Sequence, residues 1–491
     1  MSAYGIDFGT TTSVVARADG DRVDVLRLDD QVPSVWASYG FDRVLPSVVG
    51  AEGGRAAFGW PMKLGVGERL EAVKRLFATD DTVSLGGERL RVEEVAGLFF
   101  RHLAARVPGG LDKAVVTVPA NSRGRARLRT KLAAGLAGID VLALINEPTA
   151  AAMAHARALG QDQRILVFDW GGGTLDVTVL QAFEGAFIEQ ASKGVQRLGG
   201  LDLDAAFLAR LMAEIPGSAD WSRTERDDFR LDLELVKVQL SSHPAVMVSL
   251  PGGGDFRVDR SRFEEAVRPL IERVRAPLEV CLAESPGRID HLVMVGGSSR
   301  IPAVRRFVAD IVGADPSDAV DPMTAVAEGA AVTAGILQGS ITDLDFWVGT
   351  EHALGTVVEN DRHELEMSVL IERNTKYPAE STPKVYYPVA DFQKEVRIQV
   401  VEGDPDKPLS HEDNVTLTEW LIALPEPRPR DEAALEIVYS YDLDGILHVR
   451  VTDVASGGVL IDERLGFASG VDEAELAAMR ERIAGLLSPT E

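Results

Sequence analysis

The sequence predicts a pair of similar α/β lobes, then an all-β domain, then one terminal helix. Three observations predict it. Two stretches are near copies of one another, Ile6-Asp7-Phe8-Gly9-Thr10-Thr11-Thr12-Ser13-Val14-Val15 and Phe168-Asp169-Trp170-Gly171-Gly172-Gly173-Thr174-Leu175-Asp176-Val177. Each reads apolar strand, aspartate, glycine-bearing turn, threonine, apolar strand. Short apolar strands alternate with helical stretches as far as about residue 340, the pattern of α/β layers. Residues 350–467 then lose helical periodicity and alternate as strands do.

From the amino terminus, residues 1–50 read as strands, with turns such as Asp19-Gly20-Asp21. Residues 68–107 read as mainly helical around a polar turn at 84–88. Ala114-Val115-Val116-Thr117-Val118-Pro119 reads as a buried strand ended by proline. Residues 122–137 are helical, and 141–145 form another short strand. Asn146-Glu147-Pro148-Thr149 opens an alanine-rich helix, with Pro148 in the first turn, where its missing N–H does no harm. A second lobe begins near Arg164 and runs through a helical region at 201–242. It continues through the strand His291-Leu292-Val293-Met294-Val295 to the turn Gly296-Gly297-Ser298-Ser299-Arg300-Ile301-Pro302 and a helix at 324–338. Strands follow at 384–387, 396–401, 434–441 and 446–451, with Asp442-Leu443-Asp444-Gly445 as a turn. Leu344-Asp345-Phe346-Trp347-Val348 stands where a linker belongs, and its apolar side chains call for a docking surface. In the tail, Asp472 and Glu475 have capping-box spacing, and Leu476, Met479, Ile483 and Leu487 share one face.

At 491 residues and 45% hydrophobic content the chain can build large cores in about three domains. Its 51 basic and 76 acidic residues leave a net charge of −25, which disfavours nucleic acid and anionic membranes as partners. The single cysteine, Cys281, excludes an intrachain disulfide and a cysteine-clustered metal site, and it reads as a small core residue. The amino terminus leads straight into a strand, and no stretch is long and apolar enough to span a bilayer. The expectation is a cytoplasmic protein.

The repeated turn carries the chemistry. Glycine lets backbone N–H groups converge on an anion at close range. Threonine hydroxyls add short donors. Aspartates repel phosphates, but they suit a Mg²⁺ ion held through its waters. Either stretch alone would pass for an ordinary hairpin. The two together, with matching aspartate and threonine, point to a cleft for a metal-bound nucleoside polyphosphate.

Further segments appear in order: Val118-Pro119-Ala120, Ile145-Asn146-Glu147-Pro148-Thr149-Ala150-Ala151-Ala152, Val295-Gly296-Gly297-Ser298-Ser299-Arg300-Ile301-Pro302, Gly329-Ala330-Ala331-Val332 and Asp444-Gly445-Ile446-Leu447-His448-Val449. With the two turns, this series resembles the DnaK-type heat shock protein 70 chaperones from about Tyr4 to Leu486. The resemblance implies an actin-like ATPase of two ribonuclease-H-like lobes, a linker, a β-sandwich that binds extended apolar peptides, and a remnant of a helical lid. It places the nucleotide-binding domain at 1–340 (lobes 1–163 and 164–340), the linker at 341–349, the sandwich at 350–468 and the lid remnant at 469–491.

Site roles follow from the same resemblance. Gly9, Thr10, Thr11, Thr12, Gly171, Gly172, Gly173 and Thr174 would hold the phosphates. Asp7, Glu147, Asp169 and Asp176 would surround hydrated Mg²⁺, with K⁺ as a further ion. Lys74, in Ala72-Val73-Lys74-Arg75-Leu76, would act with Glu147, Asp169 and Thr174 in slow hydrolysis of ATP to ADP and phosphate. A cation there would orient the attacking water and offset charge on the γ-phosphate. Gly199, Gly200, Glu234, Lys237, Ser241, Gly296, Gly297, Ser298 and Arg300 match nucleoside-side contacts, with Lys237 and Arg300 flanking the adenine. Val389, Val396 and Ile398 match the peptide arch and pocket. Unfolded clients, a J-domain cochaperone and a nucleotide exchange factor are the implied partners of a monomer.

Departures bear on these expectations. Asp345 interrupts the linker's aliphatic run, and Phe346 and Trp347 replace leucines. The lobe-I insertion before Ala114 and the hairpin at Pro251–Arg257 look shorter than usual, and the latter lies where the family's exchange factors dock, which argues against a standard one. One helix replaces a full lid, which implies fast peptide exchange. Leu201 replaces a polar residue and Met323 an acidic one. A small-molecule kinase is the first rival, opposed by the β domain. An actin-like filament subunit and a nucleotide-gated adaptor are the others.

Overall fold

The computed structural model describes residues 2–65, 67–77, 82–120, 122, 124–155, 162–183, 186–344, 350, 352–360, 362–373, 375–376, 378–411, 414–442, 446–465 and 473–487. The chain divides into two compact units. The first holds Met1–Ser122, Arg129–Phe346 and Ala478–Glu491, and the second Arg123–Leu128 and Trp347–Ala477. Most of the linker, the turn at 443–445 and the proposed cap Asp472 lie outside the described residues.

The sequence repeat is a topological repeat. In lobe I, Ala3–Phe8, Thr12–Asp19 and Arg22–Val25 form an antiparallel meander. Lys113–Val118 joins parallel to Ala3–Phe8, and Asp140–Asn146 lies parallel beyond it. In lobe II, Gln163–Trp170, Thr174–Phe183 and Ala186–Gln196 form the same meander, and His291–Val295 joins parallel to Gln163–Trp170. Both strands of each pair are apolar almost throughout, as a sheet covered on two faces requires.

Each lobe has its own core. Phe8 packs against Phe99 and Phe100 of the helix Val92–Arg106, with ring centroids 5.8 and 4.9 Å apart. Phe168, Trp170, Phe207, Phe229 and Phe263 anchor the second core. Two alanine-rich helices, Glu147–His155 and Ala325–Leu337, pass so close that a Cβ on Gly329 would lie 1.6 Å from the Ala150 carbonyl oxygen. Small residues are needed there because backbone meets backbone.

Residues 68–107 differ from the sequence expectation. They hold a strand at Arg69–Glu71, a one-turn helix at Val73–Leu76 and a hairpin of Thr82–Leu85 with Glu88–Arg91. Only Val92–Arg106 is a long helix. Gly86 and Gly87 turn the hairpin with φ of 62° and 83°, a local signal that outweighed the apolar spacing around it. The helical region expected at 201–242 consists of two helices, Gly200–Glu214 and Arg223–Leu240, and Ser222 caps the second by accepting from Glu225 N.

The second unit is a β-sandwich. One sheet orders Leu365–Ile371, Ala353–Glu359, Glu395–Gly403 and Val415–Ala423. The other orders Ala379–Glu380, Leu435–Tyr441, Leu447–Asp453 and Val459–Leu465, with Lys384–Tyr386 also pairing to Leu435–Tyr441. Leu354, Val396, Ile398 and Val400 from the first sheet bury against Leu435, Ile437, Tyr439, Val449 and Val451 from the second.

The terminal helix Glu473–Leu486 belongs to the first unit from Ala478 onward. Met479 and Ile483 are fully buried and Leu487 nearly so, whereas Leu476 on the same face is only partly covered. Arg482 Nε donates to Glu94 Oε1 at 2.6 Å and Arg480 Nη2 to the Gly135 carbonyl at 3.1 Å. Cys281 is buried, as expected. It sits against the Val177 carbonyl, and burial pushes its thiol up to about 12, so it is inert at neutral pH.

Candidate active site

The ends of four elements converge between the lobes. Asp7 stands near the end of the first strand, Asp169 near the end of its counterpart, Asp176 two residues past Thr174 on the returning strand, and Glu147 at the first position of its helix. Lys74 Nζ donates to Glu147 Oε1 at 2.5 Å, and both side chains are about nine-tenths buried. Ala72, two residues before Lys74, has φ of 57°, a left-handed conformation that a non-glycine residue adopts only under constraint. Thr117 Oγ1 donates to Asp7 Oδ1 at 3.2 Å, and Thr174 Oγ1 to Asp176 Oδ2 at 3.1 Å.

Four carboxylates around one ammonium repel each other. Burial, then Glu147, push Asp7 up to about 7, and the same two causes push Asp176 up to about 7. Burial raises Asp169 well above the usual carboxylate range, reinforced by Glu147, Asp176 and Asp7. Burial works against a charged Lys74, but Glu147, Asp7 and Asp169 outweigh it and hold the ammonium above its ordinary range. The set is short of positive charge, and Asp176 Oδ1 is buried with no hydrogen-bond partner. Among the described residues, no three His, Cys, Asp or Glu side chains come close enough together to grip an ion directly. Buried carboxylates short of positive charge, with one oxygen unpartnered, fit a cation, and a hydrated one such as Mg²⁺ suits so few ligands.

The two glycine turns interlock. A Cβ on Gly172 would lie 2.3 Å from the Thr11 side chain, and one on Gly173 2.5 Å from Thr10 Oγ1. Gly199 approaches the Gly172 carbonyl group so closely that its Cβ would lie 2.5 Å away. Gly200 N and Leu201 N donate to the carbonyls of Gly171 and Gly172 at 2.9 and 3.0 Å. Leu201 thus contributes its backbone, which any side chain allows. Ser298 Oγ donates to the Gly171 carbonyl at 3.2 Å, and Gly296, with φ of 82°, passes against Trp170. Gly9 turns back on Thr12, whose carbonyl oxygen would lie 2.3 Å from an added Cβ. The structure brings all the expected phosphate-side residues into one place.

The nucleoside-side residues also gather, each already engaged. Glu234 accepts from Lys63 Nζ at 2.8 Å through both oxygens. Burial opposes its charge, but Lys63 and Lys237 hold the carboxyl below its usual range. Lys237 Nζ donates to Asp204 Oδ2 at 2.8 Å, and Arg300 Nη2 to Asp321 Oδ1 at 2.6 Å. Ser241 closes the helix that carries Glu234 and Lys237. Met323 lies beside Gly297.

Sequence reasoning missed Arg75. Its Nη2 donates to the Gly173 carbonyl at 2.5 Å and to Asp202 Oδ2 at 3.2 Å, so it ties lobe I to the second turn. The Lys74-Arg75 dipeptide was the available signal. It also missed Arg230, which reaches Glu71 at 3.3 Å beside the Lys63–Glu234 pair. In the β unit, Val396 and Ile398 lie in the sandwich core at 7% and 4% exposure, whereas Val389 is 60% exposed outside it.

Comparisons with known proteins agree with this arrangement. The family model described as Hsp70 protein matches residues 72–484. The chaperone protein DnaK of Thermotoga petrophila is 35% identical over 92% of this chain and 78% of its own length. The proteins of the same description from Deinococcus radiodurans and Thermus thermophilus are 33% and 32% identical, each over 93% of this chain and 78% and 79% of their own. Matched over most of its length by one family and about one-third identical to these relatives nearly end to end, the chain belongs to the Hsp70 family.

Proposed function

We infer that the inter-lobe cleft binds ATP with hydrated Mg²⁺ and hydrolyses it to ADP and phosphate. Membership of the Hsp70 family makes the protein an ATP-dependent chaperone and an ATPase. The observation that supports the residue roles is the buried Lys74–Glu147 pair set among Asp7, Asp169 and Asp176.

When bound, Mg²⁺ neutralises phosphate charge and orients the phosphate chain. Asp7, Asp169, Asp176 and Glu147 hold its waters. Thr10, Thr11, Gly9, Thr12, Gly171, Gly172, Gly173 and Thr174 supply hydroxyl and backbone donors to the phosphates. Lys74 orients the attacking water and offsets charge as the γ-phosphoryl group departs, and Glu147 fixes the position of its ammonium. Gly199, Gly200, Gly296, Gly297 and Ser298 pack the floor of the nucleoside side. Glu234, Lys237, Ser241 and Arg300 bound its rim.

The cleft spans residues 1–340, and the sandwich at 350–468 takes extended apolar peptide segments of unfolded proteins through Val389, Val396 and Ile398. Cochaperones act on the cycle, and the protein works as a cytoplasmic monomer. No helix among the described residues is long and apolar enough to cross a membrane. Calorimetric titration with Mg²⁺ and ATP tests the reading directly: heat of binding is expected, and its absence from folded protein removes the cleft assignment. ATPase turnover that rises on adding an apolar peptide tests the link to clients.

A further inference from the structure

The stretch from 33 to 44 belongs to no motif above and has no part in the proposed reaction. It contains the helix Ser34–Ala37 and the turn Phe41–Arg43. Trp36 and Phe41 are buried with Trp60, their rings 5.0 to 6.1 Å apart in largely edge-to-face packing. Arg27 pairs with Asp42 at 2.6 Å. The stretch is therefore firmly mounted on lobe I. Gly40, with φ of 84°, bends the chain at its outer end, where an added Cβ would touch the Arg300 guanidinium.

That bend hands Tyr39 to lobe II. Its carbonyl accepts from Arg300 Nη1 at 3.0 Å. Its hydroxyl lies 3.4 Å from His243 Nδ1, and the two rings meet edge to face with centroids 6.3 Å apart. His243 stands two residues beyond Ser241, at the end of the helix that carries Glu234 and Lys237. Lobe I thus touches lobe II at the place where the nucleoside-side residues gather. Lys63 links the two features, since its ammonium lies 5.6 Å over the Trp36 ring while it bonds Glu234.

We propose that the Tyr39–Gly40 bend is a clasp over the nucleoside end of the cleft, and that Tyr39 and His243 set the rate at which nucleotide leaves. The proposal rests on the reading of the cleft as a nucleotide site. A nucleotide entering or leaving between Glu234 and Arg300 has to part the bend from lobe II. An edge-to-face ring pair with one long hydrogen bond is weak enough to open thermally, so the clasp slows release and does not prevent it.

The test preloads the full chain with a fluorescent ADP analogue and chases it with unlabelled ATP. Tyr39→Ala and His243→Ala are each expected to speed release roughly three- to tenfold, the scale of one lost aromatic contact. Because they remove the same contact, the double variant releases no faster than the quicker single one. Tyr39→Phe keeps the ring and stays within about twofold of the parent. In nucleotide-free protein, amides at 34–43 exchange faster in His243→Ala, whose altered side chain is exposed and leaves folding intact. Unchanged release in both single variants, or effects that multiply in the double variant, overturns the clasp. If the parent itself binds no analogue, the nucleotide reading falls instead.

Discussion

Lys74 and Glu147, 73 positions apart in the chain, face each other at 2.5 Å with about a tenth of each side chain exposed. The one-turn helix of the first and the helix start of the second hold the pair between the lobes. Lys74→Ala is expected to keep ATP binding and to lower single-turnover hydrolysis on the order of a hundredfold, the scale of one lost transition-state contact. Unchanged turnover removes Lys74 from the mechanism.

Gly199 leaves no room for a side chain, since its Cβ would lie 2.5 Å from the Gly172 carbonyl group. Gly199→Ala must shift the second phosphate turn, because the obstacle is backbone and cannot rotate away. A loss of nucleotide affinity of at least about tenfold is expected, in line with overpacking costs of roughly 1–3 kcal/mol. Equilibrium titration with ADP measures it, and parental affinity would show that the turn takes no part in binding.

Asp176 is pushed up to about 7 by burial and by Glu147. A carboxyl raised in the folded state stabilises the fold fully below its unfolded value of 3.8, and that contribution is lost as pH rises through about 7. In protein free of Mg²⁺ and nucleotide, Asp176→Asn therefore gains stability relative to the parent between about pH 4 and pH 8. Urea unfolding at both ends of that range checks the sign; a difference that does not move with pH counts against the shift.

Val389 is 60% exposed, so Val389→Ser should leave sandwich stability within about 0.5 kcal/mol of the parent while speeding release of a bound apolar peptide. Fluorescence-monitored peptide dissociation, read with thermal melts, separates the two effects. Val396→Ala, at 7% exposure inside the core, should lower stability as well, by about 1–3 kcal/mol. Parental peptide kinetics in Val389→Ser would take that residue out of the arch.

Met479 is fully buried in the first unit, so Met479→Ala is expected to destabilise that unit by about 2–4 kcal/mol and to leave the sandwich unfolding transition in place. Two-transition calorimetry reads it. A shift confined to the sandwich would reassign the helix.

Much of this was legible locally. The Asp–Gly–Thr turns, Pro148 at a helix start and the alternation of the β region each carry their meaning within a few residues, because backbone conformation answers to neighbours in sequence. The polar turn at 84–88 was legible, but its flanks form the strands Thr82–Leu85 and Glu88–Arg91 instead of helix, because Gly86 and Gly87 outweigh the apolar spacing around them. Arg75, Arg230 and Tyr39 stayed hidden since each owes its place to a partner more than a hundred residues away in the chain.

The amino-acid order by itself determined the two-lobed plan, the β domain and the repeated Asp–Gly–Thr turns, since strand periodicity and turn chemistry are local properties. Only the tertiary structure decided which charges are paired, which titrate abnormally, how closely the Thr10 and Gly172 turns approach, and that the last helix rests with the first unit. Those outcomes depend on burial and on distances between remote segments, and both come into being only when the chain packs.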